Sequence, residues 1–168
     1  IEGLLRYPRY AEHSRETFDA AIELAHKVAL EKFLPHNRKS DLNEPHMVDG
    51  KVVLIPEIGE AVQAYNDAGF AAALAEYEAG GMQLPFVIAQ ACDSMFSAAN
   101  PGTIAYPALA RGVSNLLQSY GTPEQKRLYM QPIIEGRYFG TMCLSEPHAG
   151  SSLADIKTTA EPQADGSY

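Results

Sequence analysis

The chain has 168 residues, 46% of them apolar, which is typical of one domain with a core of its own. Its formal net charge of −8 argues against nucleic-acid binding, because that function needs a surface rich in Lys and Arg. We expect neither a membrane span nor a secretory leader, because no apolar run is long enough to cross a bilayer and no charged-then-apolar stretch opens the chain.

The cysteines and histidines do not indicate a metal site or a disulfide framework. Cys92 and Cys143 lack metal-ligand spacing, and we expect two buried, reduced thiols. His13, His26 and His36 lie in or near the first predicted helix, but they share no ligand geometry. No metal ligands are therefore predicted.

The first half of the chain predicts two amphipathic helices separated by a loop. From residue 17 to about 37, apolar residues recur at helical spacing and the opposite face is charged. Residues 37–55 are polar and contain the turn pair Asp49-Gly50, which indicates a loop with a short extended piece. Pro56 then opens the second helix as its first residue.

Residues 79–123 carry only two charged side chains, Asp93 and Arg111. The pattern predicts two helices, broken after residue 99, that are apolar around most of their circumference. We therefore expect another domain, a subunit or a ligand to cover part of them. Buried charges need partners, so Asp93 and Arg111 are expected to pair with each other or to be hydrogen-bonded in the core.

The last quarter of the chain begins with a strong helix-start signal. Thr122 is a predicted N-cap, a proline follows it, and Gln125 completes a capping box. Gly136 ends this helix. The apolar run 138–144 is the first predicted strand, and residues 156–160 are the second.

These elements predict a mainly α fold followed by the beginning of a β domain. We assign residues 1–136 to an all-helical domain with an inserted loop at 37–55. Residues 137–168 form the start of the β domain, in which Asp165-Gly166 is a hairpin turn whose second strand lies beyond the sequence.

The most specific motif runs from Gly140 to Ser152 and reads GTMCLSEPHAGSS. An apolar stretch turns into a loop of small residues, where backbone N–H groups are free and a ligand can approach closely. The run resembles the flavin-binding signature of acyl-CoA dehydrogenases. Upstream, Gly80-Gly81 with Leu84-Pro85, and the stretch 120–136, resemble two further elements of that family.

The likeness covers residues 17–168, and the long loop at 37–55 resembles the larger bacterial members, including those acting on methylthiopropanoyl-CoA. It implies a helical N-terminal domain, a middle β domain and a C-terminal helical bundle, assembled as a homo-oligomer. The implied cofactor is FAD, and the implied reaction is α,β-dehydrogenation of an acyl-CoA thioester.

The family's catalytic base is a Glu in the C-terminal bundle, so the resemblance implies no catalytic residue in this fragment, which alone should be inactive. The implied partners are an acyl-CoA substrate, the protein's own C-terminal domains and an electron acceptor such as an electron-transfer flavoprotein. The resemblance further implies a role in fatty acid metabolism and a cytoplasmic location.

The resemblance assigns roles to five residues of this signature. The hydroxyl and N–H of Ser145 would contact the pyrimidine edge of the flavin, and donors aimed at that edge stabilise the reduced ring. Met142 and Leu144 would pack along the isoalloxazine or the substrate. Gly150 and Ser151 are also expected to bind the cofactor; Ser151 would contact the pantetheine arm of the substrate, and Gly150 would leave room for that arm.

Two other residues of the loop need a separate interpretation. Glu146 is expected to order the turn rather than to act as a base. Ser152 replaces the usual Asp of the family, and we expect Asp155 to compensate. Two alternatives remain open: an acyl-CoA oxidase or related flavin oxidase of the same fold, and a non-enzymatic helical interaction module that uses residues 79–123 as its binding surface.

Overall fold

The computed structural model describes the backbone of residues 1–168 and every side chain except that of Glu2. Helices dominate, as predicted. The α-helices are α1 (Arg15–Val28), α2 (Asn37–Leu42), α3 (Pro56–Asp67), α4 (Phe86–Ala99), α5 (Pro101–Tyr120), α6 (Pro123–Gln125) and α7 (Gln131–Ile134). The 3-10 turns are Glu2–Arg6, Pro8–Tyr10, Leu34–His36, Phe70–Ala72, Tyr77–Ala79 and Leu153–Asp155, and the π-helical turns are Ala29–Phe33 and Lys126–Met130.

Helix α1 begins with a capping box that the sequence did not predict. The Ser14 hydroxyl accepts a hydrogen bond from the Thr17 N–H at 3.3 Å, and the Thr17 hydroxyl accepts one from the Ser14 N–H at 2.9 Å. Phe18, Ala21 and Ala25 form the buried face of the helix. The helical path then continues through the π-helical turn and the 3-10 turn into α2.

Helix α2 corrects the prediction of a loop beginning at residue 37. The segment is polar, but two contacts stabilise it as a helix. The Asn43 side-chain amide donates to the Lys39 carbonyl at 2.8 Å, and Lys39 forms an ion pair with Glu57 of α3. The residues that looked like loop residues are therefore the solvated face of a short helix.

The rest of the inserted segment is a β-hairpin of strands β1 (His46–Val48) and β2 (Lys51–Val53). Its two-residue turn is Asp49-Gly50, with φ of 48° and 74°, the left-handed conformation that such a tight hairpin requires. All six strand residues are exposed. The turn was predicted correctly, and the single short extended piece proves to be two paired strands.

The centre of the core is a cluster of four aromatic residues from different elements: Phe33, Tyr65, Phe70 and Phe96. Phe96 of α4 lies with its ring centroid 5.0 Å from that of Phe33, 5.0 Å from that of Tyr65 and 5.2 Å from that of Phe70. The Tyr65 hydroxyl donates to the Phe70 carbonyl at 3.2 Å, so the buried phenol is satisfied. These contacts join α3 and α4 to the π-helical turn at Ala29–Phe33 and the 3-10 turn at Phe70–Ala72.

A buried polar network fixes the corner between α4 and α5. The Asn100 side chain accepts from the Thr103 N–H at 3.0 Å and donates to the Phe33 carbonyl at 3.3 Å. The His36 ring lies 2.8 Å from the Thr103 hydroxyl. The first contact caps α5, and the second satisfies a carbonyl at the end of the π-helical turn.

Helix α5 packs against α3 and α4 but keeps one apolar face open. Tyr106, Leu109, Leu116 and Tyr120 are all exposed on it. The expectation that another domain, subunit or ligand covers the helix stays a prediction. Across the residues that the structure describes, we find no helix with both the length and the apolarity that a bilayer crossing demands.

The capping box at the start of α6 is confirmed. The Gln125 N–H donates to the Thr122 hydroxyl at 3.2 Å, and the Thr122 N–H donates to the Gln125 side chain at 2.8 Å. The helical segment then continues through the π-helical turn into α7.

The two strands predicted at 138–144 and 156–160 do not form in this chain. A strand needs a neighbour to accept and donate its backbone hydrogen bonds, and within the described residues neither segment has one. An isolated bridge between Glu146 and Ala149 is the nearest approach to sheet pairing there. The predicted turn near the end is present, with the Gln163 N–H donating to the Ser167 carbonyl at 2.8 Å.

Candidate functional site

The motif from Gly140 to Ser152, called the signature loop below, crosses α5 at its beginning. A Cβ at Gly140 would lie 2.6 Å from Cγ2 of Val113 and 3.2 Å from Cα of Ala110, so the backbone contacts the helix where only glycine fits. Two residues later, the Met142 side chain lies within 3.8 Å of the position of a Cβ at Gly112. The segment therefore begins its loop against the middle of α5.

The loop then reverses direction in a tight turn at Pro147-His148. The Glu146 N–H donates to the Ala149 carbonyl at 2.9 Å, and the Ala149 N–H donates back to the Glu146 carbonyl at 3.2 Å. The Ala149 side chain at this turn is buried. Gly150 and Ser151 follow directly, so the turn decides where they lie.

The Glu146 carboxylate closes the far end of the loop. It accepts hydrogen bonds from the Lys157 N–H at 2.9 Å, from the Thr158 N–H at 2.8 Å and from the Thr158 hydroxyl at 2.5 Å. The His148 ring nitrogen Nε2 lies 3.3 Å from the same carboxylate. We call the contacts of Glu146 with Lys157 and Thr158 the Glu146 clasp.

The clasp also affects the ionisation of Glu146. The hydrogen bond from the Thr158 hydroxyl, followed by those from the Lys157 and Thr158 N–H groups, lowers the pKa of Glu146 below its usual range. The carboxylate is therefore held in its charged form and its oxygens are used within the loop. The backbone of Glu146 closes the turn with Ala149, and its carboxylate contacts the segment that follows the loop, so the expectation that Glu146 orders the turn rather than acts as a base stays a prediction.

The five predicted cofactor-binding residues all lie on this one loop and are all exposed: Met142, Leu144, Ser145, Gly150 and Ser151. A Cβ at Gly150 would meet nothing within 4 Å. Within the described part of the chain, the hydroxyls of Ser145 and Ser151 form no hydrogen bonds. The loop thus combines an open approach at a glycine with polar groups that have capacity left for a ligand.

Two expectations about this region are not met. The Asp155 N–H donates to the Ser152 carbonyl at 3.0 Å, but the Asp155 carboxylate makes no hydrogen bond to another described residue, so it does not replace the Asp expected at 152. Cys143 is exposed instead of buried, because the segment that carries it has no neighbouring strand. Cys92 is buried as expected, and burial raises the pKa of its thiol to about 11.

Comparison with known proteins decides the family. Residues 15–137 match the family model described as acyl-CoA dehydrogenase, N-terminal domain. The chain belongs to the acyl-CoA dehydrogenase family. The 3-methylmercaptopropionyl-CoA dehydrogenase of Ruegeria pomeroyi is 32% identical over 174 residues, which cover 100% of this chain and 30% of the relative.

Further similarities agree with this assignment. The broad-specificity linear acyl-CoA dehydrogenase FadE5 of Mycobacterium tuberculosis is 30% identical over 92% of this chain and 25% of its own length. A solved structure described as the electron transferring flavoprotein of Acidaminococcus fermentans matches with a TM-score of 0.74 and 24% identity, covering 92% of this chain and 38% of the other. That likeness concerns the fold. The chain thus spans less than a third of the length of these curated relatives.

Asp93 and Arg111, the two charged residues of the apolar segment 79–123, lie outside the signature loop of this acyl-CoA dehydrogenase domain. Arg111 of α5 contacts Asp93 of α4, with Nη2 at 2.6 Å from Oδ2, which confirms the predicted pairing. Burial is the largest single effect and opposes the charge of Arg111, but the hydrogen bond to Asp93 and the attraction of Tyr65 and Asp93 together outweigh it and raise the pKa of the guanidinium. The pair joins two helices and is a structural feature of the domain.

Sequence reasoning missed two features of the acyl-CoA dehydrogenase domain. One is the contribution of Lys157 and Thr158 to the loop, although both belong to the short run that follows the signature. The other is an apolar cavity of about 390 Å³ between α3, α5 and the segment 136–139. Its lining includes Leu54, Val62 and Phe139, which lie far apart in the sequence, so no local pattern could reveal it.

Proposed function

We propose that the complete protein is an FAD-dependent acyl-CoA dehydrogenase that introduces a double bond between the α- and β-carbons of an acyl-CoA thioester. Residues 1–136 would be its helical N-terminal domain, with the hairpin-bearing insertion at 37–55, and residues 137–168 would begin its middle β domain. The observation that carries the proposal is the exposed signature loop, which presents unpaired hydroxyls beside a glycine with free space.

The residues of the loop fit a flavin. Gly150 leaves room for a planar or extended group to approach the backbone, since nothing lies within 4 Å of its absent side chain. Ser145 offers a hydroxyl and an N–H that no described residue uses, and Met142 and Leu144 next to it are exposed apolar side chains. A ring with a polar edge and an apolar face matches this combination.

Each residue then has a defined task. Ser145 donates hydrogen bonds to the polar edge of the ring, Met142 and Leu144 pack on its face, and Ser151 contacts both the cofactor and the pantetheine arm of the substrate. The flavin supplies the redox chemistry by accepting a hydride equivalent. No residue of this chain is assigned as the base, which the proposal places outside the sequence, so the chain alone would be inactive.

The relatives suggest the wider setting of the proposal. Names such as 3-methylmercaptopropionyl-CoA dehydrogenase and linear acyl-CoA dehydrogenase support a CoA thioester as substrate. An electron-transfer flavoprotein as electron acceptor, a homo-oligomeric assembly, a role in fatty acid metabolism and a cytoplasmic location complete the proposal.

The test uses the complete protein purified without added cofactor. We expect a yellow protein with visible flavin absorbance that bleaches when an acyl-CoA is added. The Ser145→Ala variant should lower flavin affinity or the rate of flavin reduction by about two- to tenfold, the range expected for one neutral hydrogen bond. Ser97→Ala, at an exposed position of α4, is the matched control and should behave like the parent.

Three outcomes would count against the proposal. A colourless protein would refute the assignment of a flavin cofactor. Unchanged flavin content and an unchanged reduction rate in Ser145→Ala would show that Ser145 is not part of the site. Turnover that releases peroxide in air, with no preference for an artificial electron acceptor, would assign the oxidase chemistry of the same fold instead.

A further inference from the structure

The Glu146 clasp joins Glu146 to Lys157, 11 residues further along the chain, and to Thr158, 12 residues further along. Between its ends lie the turn at Pro147-His148, the glycine that leaves the approach open, Ser151 and a 3-10 turn at Leu153–Asp155. Within the described residues, the other hydrogen bonds of this stretch are short-range backbone bonds inside the loop. The clasp is therefore the main polar contact that closes the loop.

The position of Glu146 couples the clasp to the predicted site. Ser145 precedes it directly, so the backbone that carries the Ser145 hydroxyl is fixed at the same point where the carboxylate is fixed. Ser151 lies inside the loop that the clasp closes. Closing a flexible loop before a ligand arrives reduces the conformational entropy that binding must remove.

We propose that Glu146 and Thr158 are positioning residues of the cofactor loop, which hold Ser145 and Ser151 in the arrangement that receives the flavin. The inference rests on the proposed function and adds two residues that act without touching the cofactor.

The chemistry of the clasp requires a carboxylate at position 146. Its three close partners, the Lys157 N–H, the Thr158 N–H and the Thr158 hydroxyl, are all in a position to donate, and an ionised carboxylate accepts only. A glutamine amide would turn an NH₂ group toward at least one of these donors. Hydrogen bonds to a charged acceptor are also shorter and stronger than neutral ones.

The experiment uses the complete protein and two conservative variants. Glu146→Gln keeps the shape of the side chain and removes the charge, while Thr158→Val keeps the branched shape and removes the hydroxyl donor. Thr159→Val is the matched control, because Thr159 is an exposed neighbour whose side chain makes no hydrogen bond to another described residue. Helical circular dichroism verifies that each variant is folded.

Two measurements distinguish the formation of the clasp from its effect on flavin binding. Hydrogen exchange reports on the amides of Lys157 and Thr158 whether or not a cofactor is bound, and we expect their protection to fall in Glu146→Gln. The flavin dissociation constant should rise about tenfold in Glu146→Gln and about threefold in Thr158→Val, with a shifted visible flavin spectrum. Thr159→Val should match the parent in both.

The outcomes distinguish the two proposals. If the parent is yellow, and Glu146→Gln loses amide protection but keeps the parental flavin affinity and spectrum, the clasp is structural only and the inference is overturned. Retained protection in Glu146→Gln overturns it as well. A colourless parent protein overturns the proposed function itself, while the exchange data still report whether the clasp closes the loop.

Discussion

The ion pair between Asp93 and Arg111 tests how burial changes the loss of unfolding free energy when one charged partner is removed. Its N–O distance is 2.6 Å, the same as that of the pair between Glu135 and Arg137. The side chains of the first pair are 10% and 19% exposed, and those of the second are 41% and 58% exposed. The two pairs therefore share one N–O distance and differ strongly in their access to water.

We expect Asp93→Ala to lower the free energy of unfolding by about 3 kcal/mol, the lower end of the range for breaking a buried pair, because Arg111 keeps some access to water. Nη1 of Arg111 is already buried without a hydrogen-bond partner, so the change would leave the guanidinium with two unsatisfied nitrogens. The double variant Asp93→Ala/Arg111→Met removes both charges and should lose clearly less than the sum of the two single variants.

Urea unfolding followed by helical circular dichroism measures these differences, since the chain has no tryptophan to report by fluorescence. Glu135→Ala is the matched control and should change stability very little, because water replaces the partner of an exposed charge. Equal losses in Asp93→Ala and Glu135→Ala would refute the reasoning from burial. Additive losses in the double variant would refute the coupling of the two side chains.

Three further predictions follow from packing, backbone space and ionisation. Phe96→Ala should lower the free energy of unfolding by about 3–5 kcal/mol, whereas Phe86→Ala on the same helix, where the ring is 67% exposed, should be nearly neutral in the same urea assay. Gly150→Ala should leave the melting temperature unchanged and weaken flavin binding in the complete protein; Gly140→Ala, which places a Cβ 2.6 Å from Val113, should lower the melting temperature. The lowered pKa of Glu146 means that its stabilising contacts are complete above the usual value of 4.5 and are lost as the pH falls through the lowered pKa. Amide protection at Thr158 should therefore decrease in acid, and Glu146→Gln should show no such step.

Features encoded by adjacent residues could be predicted from the sequence. The capping box at Thr122 and the helix start at Pro56 depend on side chains within one turn, so the local pattern was sufficient. The pairing of Asp93 with Arg111 was also predictable, because they are the only two charges in a long apolar segment. The five candidate site residues lie within a run of ten residues, so the sequence alone shows that they belong to one short segment.

Features that depend on distant partners could not be predicted. The run 138–144 has the composition of a strand, yet strand formation requires a neighbour, and the described residues provide none. Helix α2 was hidden by its polarity, because the contact of Lys39 with Glu57 that supports it comes from another element. The closure of the signature loop by Thr158 depends on backbone geometry that residue types alone do not reveal.

Asn100 limits which substitutions the corner between α4 and α5 can accept. Its side-chain oxygen caps one helix while its nitrogen satisfies the Phe33 carbonyl at the end of another. Aspartate would keep the cap but set a negative charge against that carbonyl, and serine is too short to reach both groups. Redesign of this corner, or the grafting of either helix onto another scaffold, must therefore transfer both helix ends together with this amide.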